Sequence, residues 1–332
     1  MNTRASAGGA AHAVRSAVEA AIHAPSVHNT QPWSFTVAGD EISLRADLDR
    51  ILPVADPSGR QMLISCGAAL LDVRIALYAL GHPPEVALLP DPDRPSLLAR
   101  VRPGAGAAAD EHARMLYAQV ERRRTHRGGF TEQALPEALV EELVEQARME
   151  GAHLTPVRSP AAVRVLGAIT NAAQEAQSQD RLFTLEVIRW SRPPGSTRRD
   201  GVPAEAYPRA PGRTYPQHFA QRDYARGHGW GGDTEHPEAA ATGLVAVLTT
   251  VGDAREDWLA AGQALQRVLL HASAHGVGAA FHTQALEMPQ LREFLRDQVC
   301  SGEHPQMIMR LGYVAEEGTS VRRPATEVVE ER

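Results

Sequence analysis

One stretch of this chain occurs twice. Gly67, Ala69, Leu70, Val73, Ala79 and Gly81 return as Gly262, Ala264, Leu265, Val268, Ala274 and Gly276, which makes 6 identities in the 15 positions from Gly67 to Gly81. Both copies read as buried helices closed by glycine, the residue that enters the left-handed region without a side-chain clash. Two such helices in an Ala-rich chain match by chance, or they descend from one duplicated unit. A second echo favours duplication. The amphipathic run Ala138–Ala147 followed by the strand-like His153–Val157 repeats the order of a helix at Ala13–Ile22 followed by a strand at Trp33–Val37. The chain is therefore expected to fold as two related halves, residues 1–118 and 119–332, with the seam near the Gly/Ala stretch 104–109.

The remaining elements fit that plan. Residues Met1–His12 are expected to form a frayed tail. Ala13–Ile22 carries Val14, Val18 and Ile22 on one helical face, and Trp33–Val37 with Glu41–Arg45 reads as a hairpin around Ala38-Gly39-Asp40. A long apolar helix is expected from about Gly59 to Leu80, and strands at Thr242–Val251 and Gln306–Leu311. The stretch 191–237 interrupts the second half with 7 Pro and 7 Gly in 47 residues, yet it holds 5 of the 16 aromatic residues of the chain. It reads either as a lid packed over a site or as a mobile insertion without a specific role.

Composition removes several functions. All 34 basic residues are Arg, since no Lys occurs. Schiff-base chemistry, pyridoxal-phosphate chemistry and a Walker-type phosphate loop each require a lysine. A bound phosphate must instead be held by guanidinium groups and backbone N–H. A net charge of -6 argues against non-specific nucleic-acid binding. Cys66 and Cys300 form neither a disulfide framework nor a CxxC zinc pattern, so a reducing, cytoplasmic compartment is expected. The run Ala239–Val251 is too short to span a membrane, and Met1–His12 lacks the apolar core of a signal peptide. The 14 His include no HExxH motif and are read as scattered core or surface residues, with no metal site expected. No GxSxG elbow is present, and the Gly-rich 227–232 follows no strand, so neither a serine hydrolase nor a dinucleotide fingerprint is indicated.

Three segments carry candidate chemistry. Ala24-Pro25-Ser26-Val27-His28-Asn29-Thr30-Gln31-Pro32-Trp33 sets a hydroxyl, an imidazole and two carboxamides between two prolines. Such a loop suits the edge of a planar heterocycle, or it is an Asx/Ser turn ahead of a strand. Arg122-Arg123-Arg124-Thr125-His126-Arg127-Gly128-Gly129 is a phosphate cradle or a solvated Arg run. Arg322-Arg323-Pro324, after the last strand, reads alone as a surface tail.

Together these segments resemble the FMN-dependent nitroreductases. The loop Pro25–Trp33 is similar to the family's flavin-ring loop, Arg123-Arg124-Thr125-His126-Arg127 to its phosphate motif, and Arg322-Arg323-Pro324 to its basic C-terminal tail. The order departs from the family's. The ring loop stands here in the first half and the phosphate motif opens the second, as in a fused, pseudo-dimeric member with one surviving FMN site, and the mycobacterial Acg-type proteins are the subgroup most similar. The resemblance implies an α+β nitroreductase-like fold of two degenerate repeats with a lid insertion. It places Ser26, His28, Asn29 and Gln31 at the flavin ring edge, Arg123, Arg124, Thr125 and Arg127 at the phosphate or ring oxygens, Arg322 and Arg323 closing the phosphate side, and Thr283 and Gln284 beside the ring. No catalytic side chain is named, because FMN carries the chemistry. The implied activity is NAD(P)H-dependent two-electron reduction of a small nitroaromatic or quinone-like acceptor, by a pseudo-dimeric monomer or a homodimer with neither nucleic acid nor membrane as partner. The alternative is an FMN store whose lid excludes substrates.

Overall fold

A computed structural model describes residues 3–106, 108–209, 212–225, 228–232, 240–314 and 318–332, with only the backbone described for 3–8. Helix α1 (Thr3–Ala21) leads into strands β1 (Trp33–Ala38) and β2 (Glu41–Ala46), helix α2 (Arg60–Ala79), strands β3 (Pro84–Leu88) and β4 (Leu97–Pro103), and helix α3 (Glu111–Tyr117). Helix α4 (Glu137–Arg148) precedes β5 (His153–Pro156). An excursion follows: α5 (Pro160–Gln179), α6 (Arg181–Trp190), β6 (Ser191–Arg192), β7 (Val202–Pro203), β8 (Thr214–Tyr215) and β9 (Ala240–Ala241). The chain then continues through β10 (Leu244–Thr250), α7 (Arg255–Ala274), β11 (Val277–Phe281), α8 (Pro289–Gln298), β12 (His304–Tyr313) and β13 (Val329–Glu331). One expectation fails at the start. No frayed tail occupies the first dozen residues, because the Ala-rich run extends α1 back to Thr3; Met1 and Asn2 lie outside the described residues, as do Ala107 in the expected seam and 210–211, 226–227 and 233–237 of the stretch 191–237.

The two main sheets share one strand order. The first runs β13-β1-β2-β4-β3 and the second β11-β12-β10-β5. Read from the other edge, the second is β5-β10-β12-β11, so β1, β2, β3 and β4 match β5, β10, β11 and β12 in chain order and in spatial order. Every pairing among those matched strands is antiparallel. In each sheet the long helix, α2 or α7, enters between the second and third strands. The excursion from α5 to β9 falls between β5 and β10, where the first sheet has only the turn at Gly39-Asp40. A clean division at residue 118 does not hold, however. Strand β13 crosses back and pairs in parallel with β1, with Phe35 opposite Val329.

Helices α2 and α7 join the halves. α2 is apolar nearly all round and almost wholly buried, so although its length and composition would allow it to cross a membrane, it is a central core helix. Its backbone meets that of α7 at two glycines. A Cβ built on Gly67 would lie 2.3 Å from the carbonyl oxygen of Leu259, and one on Gly262 would lie 2.0 Å from that of Ile64. Both are the glycines of the sequence echo. Beyond the crossing, Gln266 Nε2 donates to buried Asp72 at 2.8 Å. Arg74 and Arg267 both bond Glu150, and Arg74 also bonds Gln263 Oε1 at 2.7 Å. Burial pushes the Asp72 carboxyl up to about 8, against the opposing effects of its bond to Gln266 and of Arg123 and Arg322.

Gly262→Ala is expected to force the helices apart and lower stability by about 1–3 kcal/mol in urea unfolding, as overpacked cores do; a loss below ~0.5 kcal/mol contradicts the backbone contact. Asp72 supplies a second test. Its folded pKa lies above its ordinary value of 3.8, so the native state binds the extra proton between 3.8 and about 8. Its stabilising contribution is full at low pH and is lost as pH rises through that window. Asp72→Asn should therefore flatten the fall in stability from about pH 5 to pH 8, and an unchanged slope sinks the assignment.

Candidate functional site

The loop between α1 and β1 is held in an unusual conformation. His28, Asn29 and Gln31 have φ of 46°, 53° and 50°, in the left-handed region that side chains other than glycine seldom adopt. Each such residue carries strain of order 1–3 kcal/mol, which persists only where surrounding bonds impose it. Here two distant segments do so. Asn29 Nδ2 donates to the carbonyls of Gly201 and Val321 at 2.9 and 3.1 Å. Gln31 Nε2 donates to Arg199 O at 2.9 Å, while Gln31 Oε1 accepts from Arg323 N at 2.8 Å. Ser26 Oγ accepts from Gln31 N at 2.9 Å and closes the loop on itself.

This loop forms one wall of a cleft with about 820 Å³ of empty space, part of it open to solvent. Gln61, Ile64 and Ser65 face the cleft from one side of α2, Leu265 from α7, Met307 from β12 and Phe281 from β11. Thr125 and Arg127 form another wall, Thr283 and Gln284 a third, and Gln221, Arg222 and Tyr224 of the excursion complete it. The site thus draws on both halves, and its floor is the end of the α2–α7 contact.

Hydrogen-bond polarity can be assigned in the cleft. Arg127 bonds Tyr224, and the Tyr224 hydroxyl lies 2.9 Å from His28 Nδ1. A guanidinium only donates, so the Tyr224 oxygen accepts from Arg127. Burial, followed by Arg222, pushes His28 down to about 3 against the opposing pull of Glu287, so the ring is neutral. His28 Nε2 is buried and has no partner among the described residues. Opposite it, Arg222 and Glu287 form a buried ion pair at 2.8 Å. Glu287 also accepts from Thr283, Gln61 and Gln177. Burial works against its charge, but the Arg222 charge and the bonds from Thr283 and Arg222 outweigh it and hold the carboxyl below its ordinary range.

Beside the cleft, and sharing Pro25, Ser26, Thr125 and Arg127 with it, lies a pocket of about 300 Å³ lined by Asn29, Thr319, Ser320 and Arg322. Arg322 and Arg123 converge there on one acceptor. Their NH2 groups donate to His23 O at 2.9 and 3.2 Å. Arg123 Nε and NH1 and Arg322 Nε are buried without a partner among the described residues. Burial, then the charges of Arg123 and Arg124, holds the Arg322 guanidinium well below its ordinary range. Two crowded cations with three spare N–H donors form a site for an anion.

A family model described as Nitroreductase family matches residues 120–313, more than half of the chain. The chain belongs to the nitroreductase family. Among its relatives is "Putative NAD(P)H nitroreductase Rv3131" of Mycobacterium tuberculosis, 31% identical over 332 residues that span 96% of this chain and 92% of that one. Another is "Putative NAD(P)H nitroreductase acg" of the same organism, 27% identical over 95% of this chain and 94% of that one. Among solved structures, the FMN-dependent nitroreductase NfnB from Mycobacterium smegmatis in complex with NADPH is similar at 15% identity and a TM-score of 0.38, over 65% of this chain and 96% of that one.

Within this nitroreductase-family chain the sequence-predicted residues divide by position. Ser26, His28, Thr125, Arg127, Thr283 and Gln284 line the cleft, and Asn29 and Arg322 line the adjoining pocket. Arg123 and Arg124 line a different pocket of about 560 Å³ with Arg122, His126 and 276–279, although Arg123 reaches the His23 carbonyl shared with Arg322. Gln31 and Arg323 line none of these spaces. Their expected ring and phosphate contacts are corrected here: Gln31 is fully buried and spends its carboxamide on the backbone of 199 and 323, and Arg323 is turned to Glu327 at 3.3 Å. Sequence reasoning missed Gln61, Ser65, Arg222, Tyr224 and Glu287. Tyr224 was counted among the aromatics of the excursion, but nothing in the sequence pairs Arg222 with Glu287 across 65 residues. Glu287→Ala leaves Arg222 buried and unpaired, so we expect a loss of about 3–5 kcal/mol in urea unfolding, most of it recovered by adding Arg222→Met. Equal losses in the single and double variants contradict the pairing.

Proposed function

We propose that this chain is an FMN-dependent oxidoreductase in which two degenerate nitroreductase-like halves build one flavin site between them. The observation that carries this reading is the Arg123–Arg322 pair, which meets at the His23 carbonyl with three unpartnered buried guanidinium nitrogens, Arg322 lining the pocket that adjoins the cleft. The donor set fits a phosphate dianion, which accepts several charge-assisted bonds at once. Arg322, with Ser320 and Thr319, would hold the phosphate from that pocket, and Arg123, which bonds the same His23 carbonyl, would add to its positive charge. The apolar floor of Ile64, Leu265 and Met307 fits the face of a planar ring, and Ser26, Thr125, Thr283 and Gln284 fit its polar edge. FMN held there would supply two-electron redox chemistry between NAD(P)H and a small acceptor. NAD(P)H is supported as co-substrate by the name of the Mycobacterium tuberculosis relatives, and nitroaromatic or quinone-like compounds are the acceptor class.

The chain's own groups prepare that chemistry. Arg127 sets a fixed positive charge beside the ring slot, backed by Tyr224. His28, neutral, presents its unpartnered Nε2 at the cleft and carries no net charge near neutral pH. Gln221, Arg222 and Tyr224 close one side of the cleft, which supports reading their segment as a lid, and the Arg222–Glu287 pair ties it to the turn after β11. Because one chain supplies both sides of the site, a monomer suffices.

Purified protein should be yellow, with one FMN per chain. Arg322→Ala and Arg123→Ala should each weaken FMN at least tenfold in fluorescence titration, since a bond to a charged group is worth roughly 1.5–3 kcal/mol. A colourless protein that binds no added FMN, or two FMN per chain, contradicts the reading. Anaerobic NAD(P)H should bleach the flavin promptly. Unchanged absorbance would identify an FMN store with an excluding lid instead.

A further inference from the structure

Away from the cleft, the last turns of α7 carry an unused cluster. His271 and His275 are four residues apart on one face of the helix, a spacing that the view of the histidines as scattered overlooks. Their ring centroids are 4.8 Å apart. Glu142, from the middle of α4, brings Oε2 to 2.9 Å from His271 Nε2. One ligand atom from each of the three lies within 4.8 Å of the others. Four ligands at about 2.0–2.2 Å from a tetrahedral zinc stand roughly 3.3–3.5 Å apart, so closure needs a shift of about 1.5 Å at most. Glu142 and His275 are exposed and free to make that shift, and they leave a path from solvent, while His271 is 6% exposed and fixed by packing.

The carbonyl of His271 can only accept, so His275 donates Nδ1–H to it at 3.0 Å, and Nε2 is the ring nitrogen left for a ligand. His271 Nδ1 is buried without a partner among the described residues. His112 of α3 adds a third imidazole 5.7 Å from His271. The cluster also lies where the free carbonyls at the C-terminal end of α7 give a negative potential.

We propose that Glu142, His271 and His275 bind one divalent transition-metal ion, with solvent in the fourth position. Two imidazoles and one carboxylate select Zn²⁺, Ni²⁺ or Cu²⁺ over Mg²⁺ or Ca²⁺, which take oxygen ligands. The ion ties α4 to α7 on the side away from the cleft. It serves as a structural clamp, independent of flavin.

Zinc is the probe. Tag-free protein is dialysed against ZnCl₂, washed with a weak chelator and analysed for metal. One zinc per chain is expected, with at least tenfold weaker binding in His275→Ala and Glu142→Gln and no change in His12→Ala, an exposed histidine elsewhere. With Co²⁺ in place of zinc, wild type should show the visible absorption band of a four-coordinate site and His275→Ala should not. Zinc should also raise the thermal midpoint of wild type but not of His275→Ala. Because Glu142 and His275 are exposed, the variants are expected to keep the wild-type circular dichroism. Absence of retained zinc in wild type, or equal retention in His275→Ala, overturns the proposal.

Discussion

The backbone contact between α2 and α7 is the constraint on which the rest of the molecule depends. Gly67 and Gly262 let each helix place a carbonyl where any larger residue would put a methyl group. That approach brings Ile64 and Leu265 to the floor of one cleft that the loop after α1 shares with Arg127. A wider spacing would open the floor and separate walls that come from sequence positions 100 residues apart or more. The identities in the sequence echo thus include the two atoms-thin positions that make the junction possible.

Around that junction, polar groups are used for register. Asp72 with Gln266, and Glu150 with Arg74 and Arg267, lock the helices against sliding. The C-terminal segment then crosses from the second half to the first. It donates Arg323 N to Gln31, brings Arg322 to Asn29 and ends as β13 beside β1. The strained loop is therefore held by segments far from it along the chain. Replacing all lysines by arginine suits this arrangement. Guanidinium groups stay charged when buried and can divide several donors among acceptors, and Arg123 and Arg322 both reach the His23 carbonyl.

Much of this was legible in the sequence because it is written in local patterns. The spacing of Val14 and Val18, the glycine closures at Gly81 and Gly276, and the alternating runs around Trp33 and Glu41 locate α2, the first hairpin and the ends of α1 and α7 to within a residue or two, but not the starts of α1 and α7. The loop Pro25–Trp33 and Arg127 stood out by composition and by family resemblance, and both reach the cleft. What was not legible depends on tertiary direction. Gln31 and Arg323 have the chemistry of ligands but are turned into the scaffold by partners far along the chain. Arg222 and Glu287 carry no motif, and their pairing appears only once α5, the excursion and the turn after β11 are packed together. The i, i+4 histidine pair on α7 was visible but gains meaning only when α4 supplies Glu142.

A crystal structure of the chain with FMN tests the shared single site most directly. The phosphate should lie within hydrogen-bond distance of Arg322 Nε and of Arg123 Nε or NH1, and the ring between the Ile64–Leu265 floor and Tyr224. A phosphate held elsewhere, or a second flavin at the matching position across the α2–α7 junction, would contradict it.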